Sequence, residues 1–402
     1  MSRLGFGRLM AGAVAIVALS TQPVMLLGAG SLQIGRELGF GPAGLGALTA
    51  AFFLVSAAAS APAGRVVARI GWQYAMRLNA VGSGAILLTI AVAAKSTAVL
   101  VALLVVGGLF YGLANPAANQ SLSDHVAPER RGVVFGLKHA GIPVSTLLAG
   151  LAVPSVIVHF GWRAAYLVSA ALTVVVLLLV PRSPVEPTAG GSSADPRRFV
   201  APMSDRLLVG LALMSSLATW GAVALSTYLV AAAVDVGFTE SAAGFLLFTG
   251  SVSSLVGRVA VGAHTDRIGG RGFGGLAVLL GIGSLVFWAT TVASGWAFAV
   301  LVVGAFVTGW GWPGLMTYTV VNANARSTAA SSAITQAGTL AGAGAGPIVL
   351  GWVVDTWSFD AAFVVVGVTS ALAAFGVLLV GRLAAGATDV ASRTAGGTGM
   401  MQ

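Results

Sequence analysis

Apolar stretches of about 20 residues, the length that spans a bilayer as an α-helix, recur along the whole chain. Short polar segments separate them. This pattern predicts an all-α membrane protein with twelve transmembrane helices. The predicted spans are 9–31, 43–64, 74–94, 98–120, 133–157, 163–181, 207–232, 242–264, 273–293, 296–320, 329–352 and 360–381.

The chain repeats itself once, which divides the twelve spans into two halves. The segment Gly64–Gln73 reads G-R-V-V-A-R-I-G-W-Q, and a related segment, Gly262–Arg271, reads G-A-H-T-D-R-I-G-G-R. Gly107, Gly112 and Pro116 likewise correspond to Gly304, Gly309 and Pro313. Two similar membrane halves are the expected plan of a secondary transporter, with two pseudo-symmetric six-helix lobes.

Changes in composition along the chain indicate where the two halves, the linker between them and the C-terminal tail begin and end. A segment rich in proline, glycine, serine and charge separates the two sets of spans and is typical of a flexible connection. The segment after the last span is rich in glycine, alanine and threonine, which predicts a disordered tail. The predicted units are an N-terminal lobe over 1–182, a cytoplasmic linker over 183–206, a C-terminal lobe over 207–383 and a tail over 384–402.

Composition also excludes a soluble protein. Hydrophobic residues make up 57% of the 402 residues and charged residues only 8%, whereas soluble domains carry about 25% charged residues. The chain has no cysteine, which excludes disulfides, thiol catalysis and cysteine metal sites. No catalytic grouping, metal-ligand cluster or nucleotide-binding loop was found, so we expect neither an enzyme nor a cofactor.

The net charge of +9 reports orientation rather than a nucleic-acid partner. Most arginines fall on one side of the predicted membrane, whereas only Arg36, Lys95 and Arg163 fall on the other. Positive residues concentrate in cytoplasmic segments. We therefore expect both termini in the cytoplasm, a bacterial-type plasma membrane location, a lipid bilayer as surroundings and a monomeric protein.

Three motifs carry a resemblance to a known family. They are D-R-I-G at 266–269, R-R-G at 130–132 and G-W-R-A-A-Y at 161–166. With the repeat, they resemble the major facilitator superfamily over nearly all of residues 8–382, and the stretch 130–143 is similar to its cyanate-permease-like, anion-transporting branches. Two features depart from related patterns: Ala68 replaces the acid of the first loop copy, and Gly108 stands where many drug–proton antiporters have arginine.

The resemblance implies two lobes that rock around a central site, with an inner gate at the repeated loops. Asp266 would contact a neighbouring helix end, because only the second loop copy retains its acid. The residues implied in gating are Asp266, Arg267, Gly262, Gly269 and Arg271 in the second copy, with Gly64 and Arg69 in the first.

Ionisable residues inside apolar spans are the strongest candidates for function, because burying them in a bilayer costs about 2.5–3.5 kcal/mol. The predicted spans contain Lys138, His139 and Arg258, and no Asp or Glu. Lys138 lies six residues after Gly132, about 9 Å into the fifth span, and Arg258 eight residues before Asp266, about 12 Å into the eighth. Embedded cations without an embedded acid favour an anionic substrate.

The resemblance implies that the fifth and eighth spans face each other, and that Arg258 stands where monocarboxylate and oxalate transporters place a substrate-binding arginine. Its planar fork suits a carboxylate. Alternatives remain for each residue. Arg258 would instead pair with Asp266 or backbone, Lys138 would extend to the interface, and His139 would carry a coupling proton or donate one hydrogen bond.

Neutral polar and aromatic residues of the spans complete the predicted binding set, although packing is the alternative for each. They are Gln22, Tyr111, Asn115, Asn119, Trp220, Tyr228, Trp310, Tyr318 and Gln336. The sequence therefore predicts a secondary transporter that moves a small organic anion by proton symport or anion exchange. A second hypothesis is proton-coupled efflux of a neutral or amphipathic compound, with aromatic residues as the binding surface.

Overall fold

In the computed structural model, the described residues are 3–123, 125, 134, 137–180, 204–268, 272–323 and 328–397. They include twelve helices long and apolar enough to cross a membrane, which confirms the predicted fold class. The first six are α1 (Arg3–Ala29), α2 (Pro42–Ile70), α3 (Trp72–Ala93), α4 (Thr97–Ser123), α5 (Gly141–Ala152) and α6 (Trp162–Leu179). The other six are α7 (Asp205–Asp235), α8 (Glu240–Ile268), α9 (Phe273–Thr290), α10 (Gly295–Ala323), α11 (Thr328–Thr356) and α12 (Phe359–Gly397).

Two helices differ from the sequence prediction. Regular α5 begins at Gly141 and continues through a π-helical turn, Val153–Ile157, and a last turn, Val158–Phe160. Residues 134, 137 and 138 are also helical, and a turn at residues 139 and 140 separates them from α5. Pro143 lies in the first turn of α5, where proline is tolerated. The helix α12 extends to Gly397, whereas the sequence predicted a disordered tail from residue 384; alanine, common in this segment, has the highest helix propensity. Residues 183–203 of the predicted linker lie outside the described residues.

Buried polar contacts join the helices of the N-terminal lobe. The Gln22 side chain of α1 accepts a hydrogen bond from Ser145 Oγ (2.5 Å) and donates one to Ser169 Oγ (3.4 Å). The Tyr166 hydroxyl of α6 donates to the Pro23 carbonyl of α1 at 2.8 Å. Because unpaired polar groups are costly inside a membrane, these bonds fix how α1, α5 and α6 pack together.

Two arginines bind the carbonyls that end α6. Arg8 donates to the carbonyls of Leu178 (2.5 Å) and Leu179 (3.2 Å), and Arg77 donates to that of Val180 (3.3 Å). The last carbonyls of a helix have no partner within the helix, and cations there interact favourably with its dipole. These two arginines therefore have a structural role at the end of α6.

We call the membrane side that carries the α1–α2, α7–α8 and α11–α12 connections the outer side, which is the side predicted to face away from the cytoplasm. There the two lobes touch closely. Gly46 of α2 lies against the Pro347 carbonyl of α11, and Gly351 of α11 lies against the Pro42 carbonyl of α2. A Cβ at either glycine would collide with this backbone. Glycine therefore permits the close approach of the lobes at this crossing.

Hydrogen bonds and an ion pair also connect the lobes on the outer side. Glu240 at the start of α8 accepts from Arg36 (2.5 Å) and from Gln33 (3.1 Å), both on the short helix Ser31–Leu38. The Ala43 backbone N–H in the first turn of α2 donates to Asp355 Oδ2 of α11 at 3.0 Å. The outer ends of the two lobes are thus joined by charged contacts as well as by close packing.

The short helix Ser31–Leu38 is also anchored to its own lobe. Glu37 accepts hydrogen bonds from Arg163 (2.5 Å) and from the Trp162 indole (2.7 Å) at the start of α6. These bonds, from Arg163 first and then Trp162, hold the pKa of Glu37 below its ordinary value. Arg163 also lies over the Trp162 ring, 4.2 Å from its centroid. Glu37 therefore fixes the helix whose neighbouring residue, Arg36, reaches the other lobe.

Candidate functional site

Lys138 is buried, and the groups described in contact with its side chain are neutral. It lies just before α5 with 2% of its surface exposed. Its Nζ donates to Asn115 Oδ1 at 3.0 Å and to Asn119 Oδ1 at 2.8 Å. The two asparagines are four residues apart on α4 and therefore share one helical face. The Lys138 side chain is therefore held against α4 in this structure.

Arg258 lies on α8 in the other lobe and contacts the residue that follows Lys138. Its Nη1 donates to the backbone carbonyl of His139 at 3.2 Å. Its guanidinium carbon lies 5.8 Å from the centre of the Trp310 ring of α10, within the range of a cation–π contact. Arg258 of the C-terminal lobe thus contacts the N-terminal lobe at the residue that follows Lys138.

Carboxylates do not neutralise these cations within the described part of the chain. The ion pairs found there are Arg36–Glu240 and Arg163–Glu37, both on the outer side. The side chain of Asp266 lies outside the described residues, so its pairing with Arg258 stays a prediction. The charged groups that are described around His139 are therefore positive.

His139 connects the two cations through its backbone. Its half-buried side chain lies within electrostatic range of both Lys138 and Arg258. The residue forms a turn with Ala140, whose N–H donates to the Leu137 carbonyl at 3.0 Å. The carbonyl of His139, rather than its ring, is the group described in contact with Arg258. A role of the ring in proton coupling stays a prediction.

Tyr111 lies one helical turn before Asn115 on α4, close to the asparagine that binds Lys138. Tyr111 is buried, stacks on Phe52 with ring centres 5.6 Å apart, and meets Phe53 edge-on at 6.1 Å. Its hydroxyl interacts with the Asn115 side chain. Tyr111 therefore packs an aromatic cluster between α2 and α4, and its hydroxyl points to the asparagine that holds Lys138.

Two other predicted binding residues have their polar atoms bound elsewhere. Gln22 bonds to Ser145 and Ser169 as described above. The Tyr228 hydroxyl of α7 donates to the Pro347 carbonyl at 2.7 Å and approaches that of Pro42, in the other lobe, at 3.4 Å. These hydrogen bonds give both residues a structural contact, and their substrate role stays a prediction.

The remaining predicted binding residues do not show a described contact with Lys138. The Trp220 ring lies against Gly346 of α11, and the Tyr318 ring lies against Gly272 at the start of α9. Gln336 is half-buried. Trp310 is the aromatic residue that the structure brings to a cation of the site, through Arg258.

The predicted inner gate is described only in part. Gly64 and Arg69 are exposed near the end of α2. The side chains of Asp266 and Arg267 and the surroundings of Gly262 lie outside the described residues, as do Gly269 and Arg271. The gating hypothesis therefore stays a prediction.

The residues that join the lobes on the outer side carry no distinctive sequence signal. Glu240 and Asp355 lie at the ends of apolar spans, where acidic residues are ordinary features of the membrane interface. Arg36 was recognised only as one of the cations on that side. The repeat of the two halves could have suggested that their connections lie close together, but not which side chains pair.

The sequence matches the model of a known protein family. A sequence model described as "Major Facilitator Superfamily" matches residues 5–336. The chain belongs to the major facilitator superfamily. It is accordingly a multi-pass membrane transporter and not an enzyme. The particular branch of the superfamily does not follow from this match.

Solved structures share the same major facilitator fold. Two structures of a bacterial homolog of the human lysosomal transporter Spinster, inward-facing and either occupied or unoccupied, match with TM-scores of 0.74 and 0.75. Their sequence identities are 18% and 17%, and each match covers 95% of this chain and 98% of the other. This degree of likeness shows the fold alone. The search of curated proteins found no match.

Proposed function

We propose that this major facilitator protein is a secondary transporter of a small organic anion of the carboxylate type. The observation that carries the proposal is that Arg258, from the C-terminal lobe, donates to the backbone carbonyl of His139, the residue that follows the buried Lys138 in the N-terminal lobe. A ligand held by both cations would contact both lobes at once. Such a contact is what alternating access by rocking lobes requires of a central site.

The hydrogen-bonding capacity that remains on the two cations supports an anionic ligand. A lysine ammonium has three donors and an arginine guanidinium has five. The described bonds use two donors of Lys138 and one of Arg258. All these acceptors are neutral oxygens, so both positive charges remain without a described counter-charge. A carboxylate would supply that charge and accept the remaining donors in the paired geometry that arginine favours.

The proposal places the protein in the bacterial-type plasma membrane with both termini in the cytoplasm. Coupling is by proton symport or by exchange for a second anion, with His139 as the candidate proton carrier. The second hypothesis, efflux of a neutral or amphipathic compound, would use the aromatic groups of Trp310 and Tyr111 as its binding surface. The experiment below separates the two.

The test measures equilibrium binding of radiolabelled monocarboxylates, dicarboxylates and their neutral amides to the purified protein in nanodiscs. We expect the acids and not the amides to bind, and Arg258→Gln to weaken acid binding about tenfold to hundredfold, the effect of losing a charge-assisted hydrogen bond. Arg77→Gln is the matched control, because Arg77 is also half-buried and also donates to one backbone carbonyl, at the end of α6.

Other outcomes would point elsewhere. Normal acid binding by Arg258→Gln would reject the proposal. If that variant also transports normally while substitutions at Trp310 or Tyr111 fail, efflux of a neutral compound is the better account. Equal losses in Arg258→Gln and Asp266→Asn would instead assign Arg258 to an ion pair with Asp266.

A further inference from the structure

Two buried N–H donors without described partners belong to neighbouring side chains of the C-terminal lobe, Arg258 and Trp310. Arg258 Nε and Trp310 Nε1 are both shielded from solvent, and neither has a hydrogen-bond partner among the described residues. Trp310 is 8% exposed, and its ring centre lies 5.8 Å from the Arg258 guanidinium carbon. A buried donor left unpaired is costly. A pair of them beside a cation therefore indicates a place for an acceptor that comes from outside the protein.

The hydrogen bond of Nη1 decides which edge of the guanidinium remains for a ligand. Nη1 donates to the His139 carbonyl, and Nε is buried without a partner. Nε and the adjacent Nη2 therefore form the edge that would donate two parallel bonds to a carboxylate. The indole N–H is a donor only. It therefore selects an oxygen acceptor and excludes an ammonium group, which the two nearby cations would also repel.

We propose that Trp310 Nε1 and the Nε edge of Arg258 form a two-part donor site for an organic acid that carries a second oxygen next to its carboxylate. The carboxylate binds Arg258, and the adjacent hydroxyl or keto oxygen accepts from Trp310. This inference rests on the proposed function, because it names the class of anion that the same site prefers. It adds Trp310 as a residue that determines specificity.

An unpaired indole N–H is not by itself the argument. Trp312, two residues further along α10, also has a buried Nε1 without a partner. Trp312, however, packs in the apolar cluster of the C-terminal lobe with Leu276, Leu280 and Met316, and it is 2% exposed. Only the indole of Trp310 lies beside Arg258 in the described part of the chain. Trp312→Phe therefore removes an equivalent N–H at a distance from the site and serves as the control.

The experiment compares three acids of similar size in nanodisc binding measurements: propionate, lactate and pyruvate. In the wild type we expect lactate or pyruvate to bind about threefold to tenfold more tightly than propionate, the range that one additional hydrogen bond gives. Trp310→Phe keeps an aromatic face but lacks the N–H. It should bind the three acids with about equal affinity, while its affinity for propionate changes little. Trp312→Phe should retain the preference. The free amino acid alanine, which has an ammonium group in place of the second oxygen, should not compete with lactate for binding.

Each contrary result has a definite meaning. Equal affinities for the three acids in the wild type, or a preference that survives in Trp310→Phe, would overturn the two-part site. If Arg258→Gln still abolishes acid binding in that case, the proposed function stands and only this inference fails. Binding of none of the three acids would overturn this inference, and binding of acids that is independent of Arg258 would overturn the proposed function as well. Thermal unfolding of each variant checks that it is folded.

Discussion

Asp355 caps a helix of the other lobe, and removing this cap should shift the protein away from the state described here. The first turn of α2 lacks a side-chain cap of its own, because Gly41 occupies the N-cap position. Asp355 of α11 supplies the acceptor instead, at 3.0 Å from the Ala43 N–H. When the lobes separate on the outer side, this acceptor leaves with the C-terminal lobe. The cap therefore stabilises only states in which the outer ends of the lobes touch.

The size of the effect follows from the contact. Replacing a capping aspartate with alanine costs about 0.5–2 kcal/mol, and Asp355 is exposed, so we expect about 1 kcal/mol for Asp355→Ala. This free energy corresponds to about a fivefold change in the ratio of outer-closed to outer-open molecules. Asp355→Asn should have a much smaller effect, because asparagine caps helices about as well as aspartate.

The absence of cysteine in the chain makes a distance measurement direct. Spin labels on Lys95→Cys and Val292→Cys would report the separation of the outer ends of the lobes, since Val292 is 89% exposed and both residues lie in outer connections. We expect a larger long-distance population in Asp355→Ala than in wild type. Asp205→Ala, an exposed acid in the first turn of α7, is the control. An unchanged distance distribution in Asp355→Ala, or an equal shift in the control, would refute the capping argument.

Three further outcomes are expected. Hydrogen bonds from Arg163 lower the pKa of Glu37. The stability that they give is therefore complete above the ordinary glutamate pKa of about 4.3 and is lost as pH falls through the lowered pKa. In Glu37→Gln, the thermal unfolding temperature should lose this part of its pH dependence. Lys138→Met should lower acid affinity at least about tenfold and change stability little, because removal of the buried charge offsets the loss of the donor to Asn115 and Asn119. Binding and unfolding assays check both, and acid affinity equal to that of the wild type would contradict it. Tyr228→Phe should shift the distances of the same spin-label pair less than Asp355→Ala does, because its hydroxyl donates mainly to Pro347 of its own lobe and only approaches Pro42 of the other; a shift as large as that of Asp355→Ala would contradict this.

The membrane architecture could be predicted because it depends on local sequence. Twelve apolar stretches of sufficient length dictate twelve helices, since any other backbone arrangement would leave polar groups unpaired in lipid. The start of α5 was less predictable. An apolar pattern continues from residue 133, and residues 134, 137 and 138 are helical, but a turn at residues 139 and 140 precedes α5. Hydropathy does not report such a local interruption of a helix.

The candidate site was predicted in part. Lys138 and Arg258 stood out because charge is rare inside apolar spans, and the family resemblance placed their helices opposite each other. The sequence could not show that two asparagine oxygens hold Lys138, or that a backbone carbonyl binds Arg258. Contacts such as Asp355 with Ala43 join segments 312 residues apart. They depend on how the lobes dock, which residue type and spacing do not encode.

The most direct test of the account is uptake into proteoliposomes that contain the purified protein. Radiolabelled small carboxylates and their neutral amides would be compared under a proton gradient and under counter-loading with unlabelled acid. The account predicts that wild-type protein transports at least one carboxylate and not its amide, and that Arg258→Gln transports neither while Arg77→Gln behaves as wild type. Transport of the amide at the rate of the acid, or undiminished carboxylate transport by Arg258→Gln, would contradict the claim that the two lobes share an anion between their buried cations.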